Sequence, residues 1–124
     1  MPMSFLAGPN VEGLPISEAV RAGDFLFVSG MVGFGPDGEI VAGGVAAETD
    51  RIMKDLQEIL SRAGADLGRV AKVNVYLTSA DDFEAFNEAY ANYFPHNKPA
   101  RIGVVAGMTI QAAVEMDFTV YLGD

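Results

Sequence analysis

From residue 113 to residue 122 the chain alternates strictly: Val114, Met116, Phe118, Val120 and Leu122 fall on one side, Ala113, Glu115, Asp117, Thr119 and Tyr121 on the other. A period of two predicts a strand with one face in a core. Residues 69–78 alternate in the same way, with Ala71, Val73, Val75 and Leu77 set against Lys72, Asn74 and Tyr76. Residues 24–32, DFLFVSGMV, are rich in aromatic and β-branched types and predict another strand. The Gly-Pro-Asp-Gly-Glu turn at 35–39 then leads into a short return strand, EIVAG, at 39–43. A last apolar run, RIGVVA at 101–106, begins with an arginine.

Two segments have helical spacing instead. Over 46–63, Ala46, Ile52, Met53, Leu56, Ile59, Leu60 and Ala63 make one apolar stripe, and Gly64 is placed to end the helix. Asp50 with Lys54, and Glu58 with Arg62, form pairs four residues apart on its wet side. A second helix is predicted over 81–94, with Ser79 as N-cap, Asp81, Asp82 and Glu84 at its positive end, and Pro95 beyond it.

The predicted order is β-β-α-β-α-β-β, with room for a further strand at the N-terminus. That is a single α+β domain over residues 1–124, a mixed sheet with two helices on one face. The opposite face would carry Phe25, Phe27, Ser29, Met31, Asn74, Tyr76, Arg101, Gly103, Val105 and Glu115. This set is too apolar for bare surface and too polar for a sealed core. Such patches mark interfaces, so a homo-oligomer with sheet faces meeting is expected.

Composition narrows the chemistry. Eight Lys plus Arg against 17 Asp plus Glu give a net charge of −9, with no basic cluster, which argues against nucleic acid as partner. No apolar stretch approaches the ~20 residues of a membrane span. The N-terminus lacks the basic start of a secretory signal, and a cytoplasmic location is expected. With no cysteine, disulfides, thiolate metal sites and a cysteine nucleophile are excluded. His96 is the one histidine, which excludes a multi-histidine metal site or a histidine-based triad.

Three polar residues interrupt the pattern. Asn87 lies within the apolar stripe Phe83, Phe86, Tyr90, Phe94, where a buried amide either braces a loop carbonyl or serves a ligand. Arg101 opens an apolar strand. Its guanidinium keeps its proton, so it needs either an acidic neighbour, solvent at the strand edge, or a ligand carboxylate held in two parallel bonds. Gly103, two residues on, would leave space beside it. Glu115 shares its strand face with Asp117 and Thr119 and is either solvated or turned toward Arg101. Ser29 has no neighbouring base to activate it as a nucleophile.

These residues stand in segments that resemble the reactive intermediate deaminase (Rid) family, also called YjgF or L-PSP endoribonuclease-like proteins. LPISEAV at 14–20, GDFLFVSG at 23–30, VAKVNVYLTSADDFEAFNEAYANYF at 70–94, KPAR at 98–101 and VEMDF at 114–118 carry the likeness, in order and through most of the chain. The resemblance implies a chorismate-mutase-like fold of the Bacillus type and a homotrimer with clefts between subunits. It implies hydrolysis of 2-enamino and 2-imino acids to 2-oxo acids and ammonium, without cofactor or metal. By position, Arg101 matches the arginine for the substrate carboxylate and Glu115 the glutamate beside the attacking water. Ser29, Asn87, Gly103 and Ile16 match other substrate-binding positions. The chain departs from the pattern with Ile16 for a frequent tyrosine, Met31 for glutamine and Gly103 for cysteine, and with GMTIQ at 107–111 for a Leu-Pro turn. Two alternatives follow: a non-catalytic trimer binding a small carboxylate, and an RNA-cleaving protein, against which the charge stands.

Overall fold

In the computed structural model, which describes residues 2–124, the chain forms one six-stranded sheet and two α-helices. The strands are β1 Ser4–Leu6, β2 Ala19–Ala22, β3 Phe25–Met31, β4 Val70–Leu77, β5 Ala100–Val105 and β6 Val114–Tyr121; the helices are α1 Gly44–Arg62 and α2 Phe83–Ala91. Their order across the sheet is β1-β2-β3-β6-β4-β5. All neighbours are antiparallel except β4 and β5, which α2 connects as a parallel pair. This is the expected α+β architecture.

Both helices lie on one face. The α1 residues Ile52, Met53, Leu56, Ile59 and Leu60 are fully buried, as are Phe86 of α2 and Val73, Val114, Met116 and Val120 of the sheet. The alternation in β6 is therefore realised residue by residue. Burying large side chains such as these contributes roughly 1.5–3 kcal/mol each.

Several expectations about local structure are corrected. No return strand forms at 39–43; a single bridge joins Phe34 to Ile40. Gly43 and Gly44 take φ of 115° and 78°, which takes the chain out of the extended region and into α1 two residues earlier than predicted. β2, four residues long, is too short to show a period in the sequence. Residues 80–82 form a 3-10 turn whose N-cap is Ser79, and α2 proper is shorter than the predicted 81–94. The hydroxyl of Tyr93 donates to Asp50 at 3.0 Å, while Arg51 pairs with Asp55.

Two irregularities alter which residues face the core. A register shift between Val70 and Lys72 turns Val70 inward and leaves Ala71 exposed. Another between Val28 and Met31 turns Met31 into the core, so it does not belong to the open face. A bulge inserts one residue and reverses the facing of everything beyond it.

Candidate functional site

The largest correction concerns Arg101. Parallel pairing sets Arg101 beside Val73, Gly103 beside Val75 and Val105 beside Leu77, all of which face the helices. Arg101, Gly103 and Val105 thus lie on the helix side of β5, not on the open face. Glu115 pairs with Tyr76 and does lie on the open face. Within one chain the two residues expected to meet are on opposite sides of the sheet. Strand alternation fixes the relation of residues along one strand; the phase between strands depends on register.

The Arg101 side chain runs along α2. Its guanidinium carbon is 4.9 Å from the ring centre of Tyr90, 5.4 Å from Phe86 and 5.8 Å from Phe83. Arginine over aromatic faces is stabilised by the ring quadrupole and held in orientation. Among the described residues no acid lies within ion-pair distance of it, whereas Arg51 and Arg62 are both paired. Asn87, Tyr90, Phe94 and Lys98 join Arg101 around a hollow of about 340 Å³. Asn87 Oδ1 and the Tyr90 hydroxyl are buried there without a hydrogen-bond partner in the protein. Asn87 Oδ1 can only accept, so it is left for a donor, and among the described residues the Asn87 amide makes no side-chain hydrogen bond to a loop carbonyl. Burial pushes the Tyr90 hydroxyl up to about 12, so it remains protonated and able to donate. Lys98 donates to the carbonyls of Phe94 and Pro95 at 3.2 and 3.1 Å, fixing the loop that follows α2 beside the hollow. An uncommitted cation among apolar walls and unused polar atoms is suited to a small carboxylate.

The second group of residues occupies the open face. The β3 bulge holds Ser29 and Gly30. The Ser29 hydroxyl donates to the Ser17 carbonyl at 2.6 Å, fixing the loop that carries Ile16, which is 51% exposed. Ser29 is thus a brace, consistent with its lack of an activating base. The Glu115 carboxylate lies over Gly30 so closely that any β-carbon there would collide with it. Burial, with the neighbouring Asp117 charge second, raises the Glu115 pKa above the ordinary 4.5. Asp117 is held by Asn74 at 2.8 Å and by the Tyr76 hydroxyl at 3.2 Å. Glu115, with no such partner, is free to orient a water or carry a proton.

The Glu18 and Glu48 roles are not visible in the sequence pattern. Glu18 is 1% exposed and takes Asn10 Nδ2 at 2.9 Å and the Arg62 guanidinium, tying the N-terminal loop to α1. Glu48, also buried, accepts the Ala113 N–H at 2.8 Å and so anchors the start of β6 two residues before Glu115. Each acid is recognisable only through a partner distant in sequence. The described residues contain no cluster of three or more His, Asp or Glu arranged to hold a metal ion. Two helices on one face of a six-stranded mixed sheet define an α+β protein of the chorismate-mutase-like class.

Comparison with known proteins gives the family. The family model described as Endoribonuclease L-PSP matches residues 12–122. A RutC family protein of Pyrococcus abyssi is 40% identical over 109 residues, covering 86% of each chain. The human 2-iminobutanoate/2-iminopropanoate deaminase is 37% identical over 117 residues, covering 93% of this chain and 85% of the relative. The crystal structure of yeast Mmf1 superposes with a TM-score of 0.85 at 30% identity, covering 99% of this chain and 98% of that one. The chain belongs to the Endoribonuclease L-PSP family, the YjgF/RutC/Rid group.

Proposed function

We propose that the protein is a deaminase that hydrolyses 2-imino acids, and the 2-enamino acids that tautomerise to them, to 2-oxo acids and ammonium. The observation that carries this reading is Arg101, which has no acidic partner in a chain of 17 acids and lines a pocket with unused polar atoms. The relatives named as imine deaminases support it. We further propose a homotrimer in which the Arg101 group of one protomer meets the Ile16, Ser29 and Glu115 group of its neighbour. The exposed side chains Phe25, Phe27, Ile102 and Val104 on the open face favour burial against another copy.

Arg101 holds the substrate carboxylate, and Asn87 with the Gly103 backbone bounds the cleft. Water adds to C2, the C=N pair moves to nitrogen, and that nitrogen takes a proton. The O–H proton of the resulting carbinolamine passes to nitrogen, the C–N bond breaks with its pair going to nitrogen as the C=O forms, and ammonia departs and takes a proton from water to become ammonium. Glu115, ionised, orients and deprotonates the water; protonated, it returns the proton to nitrogen. Fixing one carboxylate contributes about 1.5–3 kcal/mol, a factor of about 10 to 150 in rate if it is fully expressed in the transition state.

The test generates 2-aminoacrylate in situ with a dehydratase and follows its decay. Wild type should accelerate it and Arg101→Ala should lose about 10- to 150-fold of that; no acceleration by wild type would demote the deaminase reading for that substrate. The placement of Arg101 and Glu115 on opposite faces favours one second reading, a carboxylate-binding module without turnover. Calorimetric binding of a 2-oxo acid without catalysis would establish that instead.

A further inference from the structure

Beside the Arg101 hollow lies a second one of about 280 Å³, lined by Leu77, Ala80, Phe83, Gly103, Val104 and Val105. Phe83 lies between the Arg101 guanidinium, whose carbon is 5.8 Å from its ring centre, and the second hollow, which it walls. Gly103 forms the floor. A β-carbon built there would meet only Val75 Cβ, at 4.0 Å, which is ordinary contact, and the backbone φ is not in the left-handed region. Glycine is thus not required by conformation or by crowding at this position. Its effect is to leave room. None of the lining side chains is polar, and Phe83 and Val105 are 48% and 57% exposed, so the apolar wall is open to a ligand.

We infer that this hollow seats the side chain of the substrate, and that the protein acts on 2-imino acids with bulky apolar side chains, of the size derived from leucine, methionine or phenylalanine. Gly103 is the specificity-determining position. The inference rests on the deaminase reading and extends it to a substrate class. With its carboxylate on Arg101, a substrate has C2 beside β5 and its side chain directed past Phe83 over Gly103. Short side chains leave the apolar wall unfilled. Polar ones lose hydrogen bonds to water that no lining side chain replaces. In apolar pockets each methylene accommodated changes kcat/KM by roughly 10- to 200-fold.

The experiment measures kcat/KM for 2-iminobutanoate and for 2-imino-4-methylpentanoate, both generated in situ from the amino acids by an L-amino acid oxidase. The proteins are wild type, Gly103→Ala, Gly103→Val and Gly103→Leu. Binding of the stable 2-oxobutanoate and 4-methyl-2-oxopentanoate is read in parallel by calorimetry. Wild type should favour the longer substrate, and the long-to-short ratio should fall with each larger residue, by about tenfold or more at leucine. Wild-type preference for the short substrate, or equal loss of both along the series, overturns the inference. Absence of turnover, with tighter binding of the longer oxo acid that the series abolishes, refutes the deaminase and supports the subsite. Absence of both turnover and binding preference overturns both.

Discussion

On β6, Met116 and Phe118 point under the helices and are almost wholly buried, while Glu115 and Asp117, one residue away, lie half-buried on the other side. The same contrast runs across the sheet. The helix side is closed by α1 and is a core; the open side carries Phe25, Phe27, Ile102 and Val104 around a polar centre of Asn74, Tyr76, Glu115 and Asp117. At β5 the helix side ceases to be a core, because this edge strand extends beyond the cover of α2 and its Gly103 and Val105 are exposed. The difference teaches that one face stabilises the protomer and that candidate chemistry collects where cover is incomplete, at the β5 edge and on the bare face.

Substitutions on the two faces should therefore separate stability from turnover. Glu115→Ala should reduce kcat by about 100- to 10,000-fold, the range for general acid–base groups, with little change in the denaturation midpoint. A parallel loss of stability would show that the carboxylate is structural. Because the Glu115 pKa is raised by burial, its ionised form is lost on acidification above the ordinary 4.5, and the acid limb of kcat/KM should lie above that value. A limb at or below 4.5 would remove Glu115 as the base.

Leu56→Ala, on the covered face, should lower unfolding free energy by about 2–5 kcal/mol in urea titration while leaving the activity of the remaining folded protein near that of wild type. Phe27→Asp, on the bare face, should forfeit the roughly 1.5–3 kcal/mol available from burying an aromatic side chain at an interface. Sedimentation should then show smaller species with unchanged far-UV circular dichroism. An unaltered sedimentation coefficient would dismiss this face as the contact.

The smallest effect is expected at Glu48, where burial, opposed by the Ala113 and Val114 N–H groups, raises the pKa. Its contribution to stability is fully present below 4.5, where both folded and unfolded chains are protonated, and is lost as pH rises through the folded value. Glu48→Gln imitates the neutral acid at every pH. Its unfolding free energy in urea relative to wild type should therefore climb between pH 4 and pH 7, by no more than the ~0.5–1.5 kcal/mol of one hydrogen bond. A difference that shrinks over that range would reverse the sign assigned here.

Periodicity was enough to find β4, β6 and both helices, and runs of aromatic, β-branched or apolar residues marked β3 and β5, because these signals are local and half the chain is apolar. It also determined that Arg101 and Asn87 interrupt apolar patterns and require partners. β2 and the burial of Glu18 were not legible, since a four-residue strand has no measurable period and Glu18 is recognisable only through Arg62, forty-four residues on. Tertiary structure alone decided which faces coincide. The parallel register of β4 with β5 set Arg101 toward α2, and the β3 bulge turned Met31 inward and brought Gly30 under Glu115. The physical reason is that register is a relation between strands: a shift of one residue exchanges the two faces and leaves every local pattern intact.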